Sequence, residues 1–528
     1  MSTTEETCDV LVIGAGPTGL TLAIALRMHG VDAVVVERGP GTKTEARASV
    51  LWQRALEALR DLECADAFTD VGLPLSRAEF RVRGRLAGRQ ETHSPETAFP
   101  NPLSIEQNDI EALLDRRLRE LGPDVRWSTE ATAVRLADDG AHVDLCDPEG
   151  DTRTLAARWV VGCEGAHSLV RKSAGIGFDG SQRDNLQFVQ LNATPAWRHD
   201  DDRRTTLFFI NRDVTLIVDP LPSGGTRFAA FRPDPEPRRT EPPTASEMED
   251  IVARATGERV RLTPTEPGWA NRARFQDRLA TTLRQGRALL AGDSGHLWAP
   301  IGGRGLNTGL LGAHQLGWKL AAVHQGRAAE ALLDTYDSEQ RHRAREVMNQ
   351  RGIGILELPS GPAALALLAL ALPPLLRSER LRRRGDMFLS DFARNHRASA
   401  LSAGSAPRRG PRPGDRIANL EITTATGPGR LHDLLGYRRW SLLVVADPSA
   451  AAPLRALTDH YTTPITVTPI AVGRAHRRAL PAGTLLLIRP DGHIGLRART
   501  TEHGLLEAYL DRWFVRERVS AQPATTPA

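Results

Sequence analysis

The chain has 528 residues, 41% hydrophobic and 25% charged, with a formal net charge of +4. That length exceeds one hydrophobic core and predicts two or three domains, and the balance excludes a disordered chain. Nearly all cations are arginine, with Lys43, Lys172 and Lys319 the only lysines, and no basic block is interleaved with aromatics, so nucleic acid is not expected as a partner.

Cys8, Cys64, Cys146 and Cys163 are too widely spaced for a zinc site or a disulfide framework, which implies a reducing, cytoplasmic compartment. The acidic start, Met1 to Asp9, does not read as a signal peptide. The apolar stretch Pro362 to Leu376 is too short to span a bilayer and carries internal prolines, so a buried or interface helix is expected there, with contact at a membrane surface as the lesser alternative and no membrane partner.

In chain order, the first element is the apolar run Cys8 to Ile13, predicted as a strand. It feeds Gly14-Ala15-Gly16-Pro17-Thr18-Gly19, a helical stretch from Leu20 to Gly30, and a second apolar run, Val31 to Val36, ending at Glu37 and Arg38. Such a turn places free backbone N–H groups and the positive helix end against a pyrophosphate. Gly14 permits the turn, Gly16 the close approach, and Gly19 the helix packing. Glu37, about 20 residues on, is placed to accept hydrogen bonds from an adenosine ribose.

Residues 1–175 are expected to form this nucleotide-binding unit, with a second glycine segment, Gly162-Cys163-Glu164-Gly165-Ala166, after the apolar Trp159 to Val161. From 176 to 285, alternation in Arg204 to Ile210 and Thr215 to Val218 predicts an antiparallel sheet. Residues 286–404 return to the first domain. There Arg287 to Ala291 is a strand, Gly292-Asp293 follows, and Pro300-Ile301-Gly302-Gly303-Arg304-Gly305-Leu306-Asn307 is a glycine loop. Asn307 and Thr308 are expected to start a helix running through Lys319. A Pro-, Arg- and Gly-rich linker, Ser405 to Asp415, opens the last unit, 405–528, with strands at Ser441 to Val445 and Thr484 to Ile488. A turn at Asp491-Gly492 precedes His493 to Leu496.

Read together, the three glycine segments form one FAD site. In this order and spacing they resemble the FAD-dependent aromatic hydroxylases, single-component class A flavoprotein monooxygenases of the para-hydroxybenzoate hydroxylase type. Within that group the similarity is to the actinomycete polyketide hydroxylases acting on angucyclines, anthracyclines and tetracyclines. The resemblance runs nearly end to end and implies an α/β fold: a Rossmann-like FAD-binding domain, an inserted antiparallel-sheet substrate domain and a C-terminal thioredoxin-like domain. That last domain contains no cysteine here, so it is expected to be structural.

The resemblance assigns cofactor contacts to Gly14, Gly16, Pro17, Thr18, Gly19, Glu37, Arg38, Arg47, Gln107, Glu164, Asp293, Pro300, Gly303, Gly305, Leu306 and Asn307. Asp293 is expected on a ribityl hydroxyl, and Gln107 near the pyrophosphate and ribityl chain. Arg47 is expected near the flavin and the nicotinamide phosphate, as the residue acting in catalysis. Glu164 stands where the family usually has Asp, its carboxylate displaced by about one bond length. A helix start at Asn307 would face the N1 and C2 carbonyl edge of the isoalloxazine, where charge gathers on reduction. His296 is expected to pack, and Trp298 to shape the pocket. Phe208, Phe209, Phe228 and Phe231 fit an aromatic substrate floor or a sheet core equally well. Asp334, Tyr336 and Glu339 resemble a structural helix.

The implied reaction hydroxylates an aromatic polyketide-type phenol with NAD(P)H, as transient co-substrate, and O2, through a flavin C4a-hydroperoxide. A Baeyer–Villiger or epoxidising monooxygenase would use the same site. A flavin halogenase is disfavoured because no Trp-x-Trp-x-Ile-Pro segment is present, and a non-catalytic binding protein on this fold would lack the intact Asp293 to Asn307 loop. The partners expected are a small aromatic substrate and O2, and the sequence leaves open whether the chain forms a homodimer.

Overall fold

Val10, Leu11 and Val12 have no exposed surface, and neither have Val160 and Val161, as expected of strands covered on both faces. They form the middle of a seven-stranded sheet whose parallel part runs Ala288–Leu290, Thr152–Gly162, Glu6–Ile13, Ala33–Val36. The structure, a computed structural model, describes residues 6–43, 49–197, 203–266, 268–299, 301–349, 361–407 and 409–517. Two compact units emerge, one of Met1–Gly317 with Asp337–Arg394, the other of Trp318–Tyr336 with Asn395–Ala528.

In the first unit, the helix Pro17–Met28 starts at the glycine turn, three residues earlier than the apolar pattern alone predicts, because Pro17 occupies its first turn. A second, nine-stranded sheet is built on Phe178–Pro195, which pairs with Thr226–Pro233 and Ala270–Ala280. Thr205–Ile210 and Thr215–Pro220 extend it at the places where alternation predicts strands. Arg77–Val82 joins it from far upstream, parallel to Thr205–Ile210, and Arg85–Glu91 pairs antiparallel to Arg77–Val82 at the edge.

The nine-stranded sheet has two different faces. Val189, Leu191, Phe209, Leu216 and Phe228 point one way and pack with Met248, Ile251 and Val252 of the helix Ala245–Thr256. On the other face Phe80, Val82 and Ile210 pack against Leu365, Leu372 and Leu376 of the helix Gly361–Arg377. The apolar stretch from Pro362 is thus a helix buried on one side, while Leu367 and Leu370 are 67% and 76% exposed.

The second unit holds another seven-stranded sheet. Trp440–Val445, the helix Ala451–Thr458 and Ile465–Val472 form a parallel βαβ turn. Thr484–Ile488 and Ile494–Arg499 then form an antiparallel pair, followed by the helix His503–Trp513. This succession is that of a thioredoxin-like domain, and its centre is apolar, with Leu443, Val445, Leu486 and Ile488 all fully buried. The turn at Asp491-Gly492 carries more than a turn requires. Asp491 accepts from Arg489 at 2.5 Å and from the Trp318 indole at 3.1 Å, and against the opposing effect of burial Arg489 and His493 hold its carboxyl well below the usual range.

Phe228, fully buried between the sheet and the helix Ala245–Thr256, tests that core. Phe228→Ala should cost about 3 to 5 kcal/mol. Chemical denaturation would show a midpoint shift, and a midpoint equal to the parent's would contradict this packing.

Candidate active site

Four parallel strands end level with one another. Ile13 pairs with both Val36 and Gly162, and Gly162 pairs with Leu290. The ladder continues one step beyond: Gly14 N donates to Val36 O at 2.8 Å, Cys163 N to Ile13 O at 2.8 Å, and Ala291 N to Gly162 O at 3.0 Å. The residues that follow, Gly14, Glu37, Cys163 and Ala291, therefore leave the sheet side by side. Ligands of open α/β sheets bind outside such carboxyl ends.

Backbone contact then seals the glycine segments together. Gly14 has φ +102°, and a Cβ there would lie 2.6 Å from Cys163 O. At Gly19 a Cβ would overlap the Gly14 carbonyl oxygen. A Cβ at Gly292 would lie 2.7 Å from Thr18 Oγ1, so this hydroxyl seats the first helix against the third segment. By contrast, a Cβ at Gly16, Gly165 or Gly305 would meet nothing within 4 Å, leaving one open glycine in each segment. Neither the helix Pro17–Met28 nor the helix Arg304–His324 carries an acidic residue in its first turn. Their leading N–H groups are thus available to an anion. Open backbone at three level points and two uncompensated helix starts fit an extended, anionic cofactor.

The side chains are already engaged. Glu37 accepts from Ala15 N and Gly39 N, both at 3.0 Å, which braces the glycine turn from the second strand. Arg38 is exposed. Gln107, at the start of the helix Gln107–Glu120, donates to Glu111 at 3.0 Å, and Glu111 accepts from Lys43 N at 2.9 Å. Arg47 lies outside the described residues, but its flanks are anchored, Lys43 to Glu111 and Ser49 O to Ile105 N. Pro300 also lies outside them. Asp293 is exposed in the single turn Gly292–Ser294. Glu164 is turned onto the protein. It accepts from Val170 N at 2.9 Å and from Ser294 Oγ at 3.3 Å, and burial raises its pKa. The longer acid thus ties the second segment to the third.

Asn307 corrects an expectation. The helix begins at Arg304, three residues before it, because Gly302 and Gly303 (φ +66° and +65°) swing the chain around early. Gly305 and Leu306 therefore lie in its first turn. Asn307, fully buried, accepts from Trp52 N at 2.8 Å and donates to Val50 O at 2.9 Å and Gly303 O at 2.8 Å. The Trp52 indole adds a bond to Gly302 O at 2.7 Å. The glycine loop is clamped to the segment Val50–Trp52 on two sides.

The four phenylalanines separate by parity. Phe209 and Phe228 belong to the core on the helix face, while Phe208 stacks on Phe80 at 4.8 Å. Only Phe231 reaches the glycine loop. It meets Phe188 at 4.4 Å and Phe275 at 6.0 Å, and this cluster closes on Ala299, just before the loop. His296 stacks on Trp298 at 4.7 Å, and burial pushes its pKa down to about 4. A neutral, stacked imidazole is a packing group.

One network was not foreseen. Arg227, fully buried on the same face as Phe231, donates to Asn192 Oδ1 at 3.0 Å and to Glu106 at 3.3 Å, and Asn192 donates to Glu106 at 2.7 Å. Glu106 immediately precedes Gln107, so this network fixes the sheet to the start of the Gln107 helix. An arginine just ahead of the apolar run Phe228 to Phe231 was its signal in the sequence.

Residues 7–351 match the FAD binding domain family, and residues 410–516 match the aromatic-ring hydroxylase C-terminal family. The chain belongs to the FAD-dependent aromatic-ring hydroxylases. It is 31% identical to the 6-methylpretetramide 4-monooxygenase of Streptomyces rimosus, over 93% of this chain and 92% of that one. It is also 31% identical to the dialkyldecalin synthase of Streptomyces rugosporus, over 96% and 98%. Among solved structures, the anhydrotetracycline hydroxylase OxyS of Streptomyces rimosus superimposes with a TM-score of 0.78 at 29% identity, covering 96% of this chain and 99% of that one. The monooxygenase uses FAD, with NAD(P)H as co-substrate.

Asn307→Ala would strand two carbonyls and an amide in a buried site, at about 1 to 3 kcal/mol. The variant should unfold earlier with and without FAD and bind FAD more weakly, as read by thermal melting and flavin fluorescence. Parental values in both would remove the clamp from the site.

Proposed function

We propose that this monooxygenase hydroxylates a flat, fused aromatic phenol of the polyketide type. The observation that carries this reading is the buried cluster Phe188, Phe231 and Phe275 closing on Ala299 at the edge of the glycine loop, which gives the cofactor segments a dry aromatic floor. When bound, FAD accepts hydride from NAD(P)H and in its reduced form activates O2 for transfer of one oxygen atom. The protein's share is placement and shielding. The helix start at Pro17 and the open Gly16 receive the pyrophosphate, Glu37 the ribose, and Asp293 a ribityl hydroxyl. Gly303, Gly305, Leu306 and Asn307, next to Pro300, bring backbone to the ring edge. Gln107 and Arg38 flank the phosphates, and Glu164 supports the second segment from behind. Arg47 is assigned, from the resemblance, to the flavin and the nicotinamide phosphate. The aromatic floor excludes water from the reacting face.

The relative named as a synthase supports a second reading, ring closure without oxygen transfer. Incubation of the FAD-loaded protein with NAD(P)H and a panel of polyketide phenols, followed by mass spectrometry, separates the readings. Hydroxylation gives a product heavier by one oxygen that keeps its ring system. Insertion into a ring bond has the same mass but a lactone signature, and cyclisation leaves the mass unchanged. Failure of every phenol to gain oxygen would sink the proposal.

Asp293→Ala tests the cofactor assignment separately. Loss of a charged acceptor should weaken FAD binding by about ten- to a hundredfold in fluorescence titration. Equal affinity would take Asp293 out of the site.

A further inference from the structure

Half of the large apolar side chains exposed among the described residues lie in one short segment: Leu367, Leu370, Leu375 and Leu381 out of eight. The segment is the helix Gly361–Arg377 and the helix Glu379–Leu389, bent by 98° at their junction. Its inner side is satisfied, since Leu365, Leu372 and Leu376 fill the face of the nine-stranded sheet. The outer side is apolar as well, and an all-apolar helix normally has cover on every side.

Charge is concentrated at the same place. Residues 361–389 contain Arg377, Arg380, Arg382, Arg383 and Arg384 against Glu379 and Asp386, a net charge of +3 on a chain whose total is +4. Arg383 pairs with Glu96, whereas Arg377, Arg380 and Arg384 are exposed and make no ion pair among the described residues. A second copy docked by two-fold symmetry would bring this net-positive cluster up to its own image, with five arginines and two acids on each side and a net repulsion. An anionic phospholipid surface satisfies both features. Leucines enter the acyl boundary while guanidinium groups pair with phosphates, as in interfacial amphipathic helices. Among the described residues no single helix is long and apolar enough to cross a membrane, and although this bent pair is apolar enough when taken together, its inner face is packed on the sheet, so the contact is peripheral.

We propose that the helix pair 361–389 docks this protein reversibly on anionic phospholipid surfaces, revising the expectation of no membrane partner. Full-length FAD-loaded protein, sedimented with vesicles of phosphatidylcholine alone or mixed with phosphatidylglycerol, should pellet with the mixed vesicles only and be released by salt. The double variant Arg380→Gln/Arg384→Gln should weaken partitioning by about tenfold. Leu367→Ser/Leu370→Ser, at exposed positions, should weaken it at least as much. Basal NAD(P)H oxidation should be unchanged in both variants, which shows that they remain folded. No association with mixed vesicles would overturn the proposal, as would equal association with both kinds. A dimer in light scattering that the leucine variant splits would also overturn it, because a second copy would then cover the face.

Discussion

Everything in the site depends on the level ending of four parallel strands. Ile13, Val36, Gly162 and Leu290 are held in register by valines and leucines with almost no exposed surface, so the hydrophobic core decides where the functional segments emerge. A slip of one residue would move a strand by about 3.3 Å and turn its side chains to the other face. Burial on both faces forbids that slip. Segments more than a hundred residues apart thereby become neighbours at the carboxyl ends of one sheet, close enough for short contacts to join them.

The second level of order is a set of internal ties. Glu37 braces the turn, Thr18 seats the first helix on Gly292, Glu164 reaches Ser294, and Asn307 clamps the glycine loop. Each tie uses a polar side chain on backbone or hydroxyl groups that would otherwise need water. These ties hold the cradle through the protein's own contacts, which lowers the ordering cost of binding.

Much of this was legible in the sequence because glycine spacing and apolar runs are local signals. Cys8 to Ile13, Thr215 to Val218 and Thr484 to Ile488 all read as strands because their patterns are strong over a few residues. What stayed hidden is non-local. Alternation shows that Phe208 and Phe209 face opposite ways, but not which face meets the glycine loop. Asn307 looked like a helix start because the turn formed by Gly302 and Gly303 depends on their backbone angles, which residue type permits without requiring. Arg77–Glu91 joins the nine-stranded sheet from a distant part of the chain, a pairing no window could reveal. The Arg227, Asn192 and Glu106 network likewise joins three segments far apart in sequence.

The two-faced sheet bears on how such an enzyme diversifies. Phe228 and Phe231 lie three residues apart on one strand, yet one is committed to the core and the other to the side of the loop. Phe188, Phe231 and Phe275 are themselves closely packed, so a change of size there carries a packing cost of its own. Under the proposed function, ligand fit is read on one face of the sheet and the helix-side core lies on the other, so a change in ligand shape draws on one face while the packing of the opposite face is left as it is.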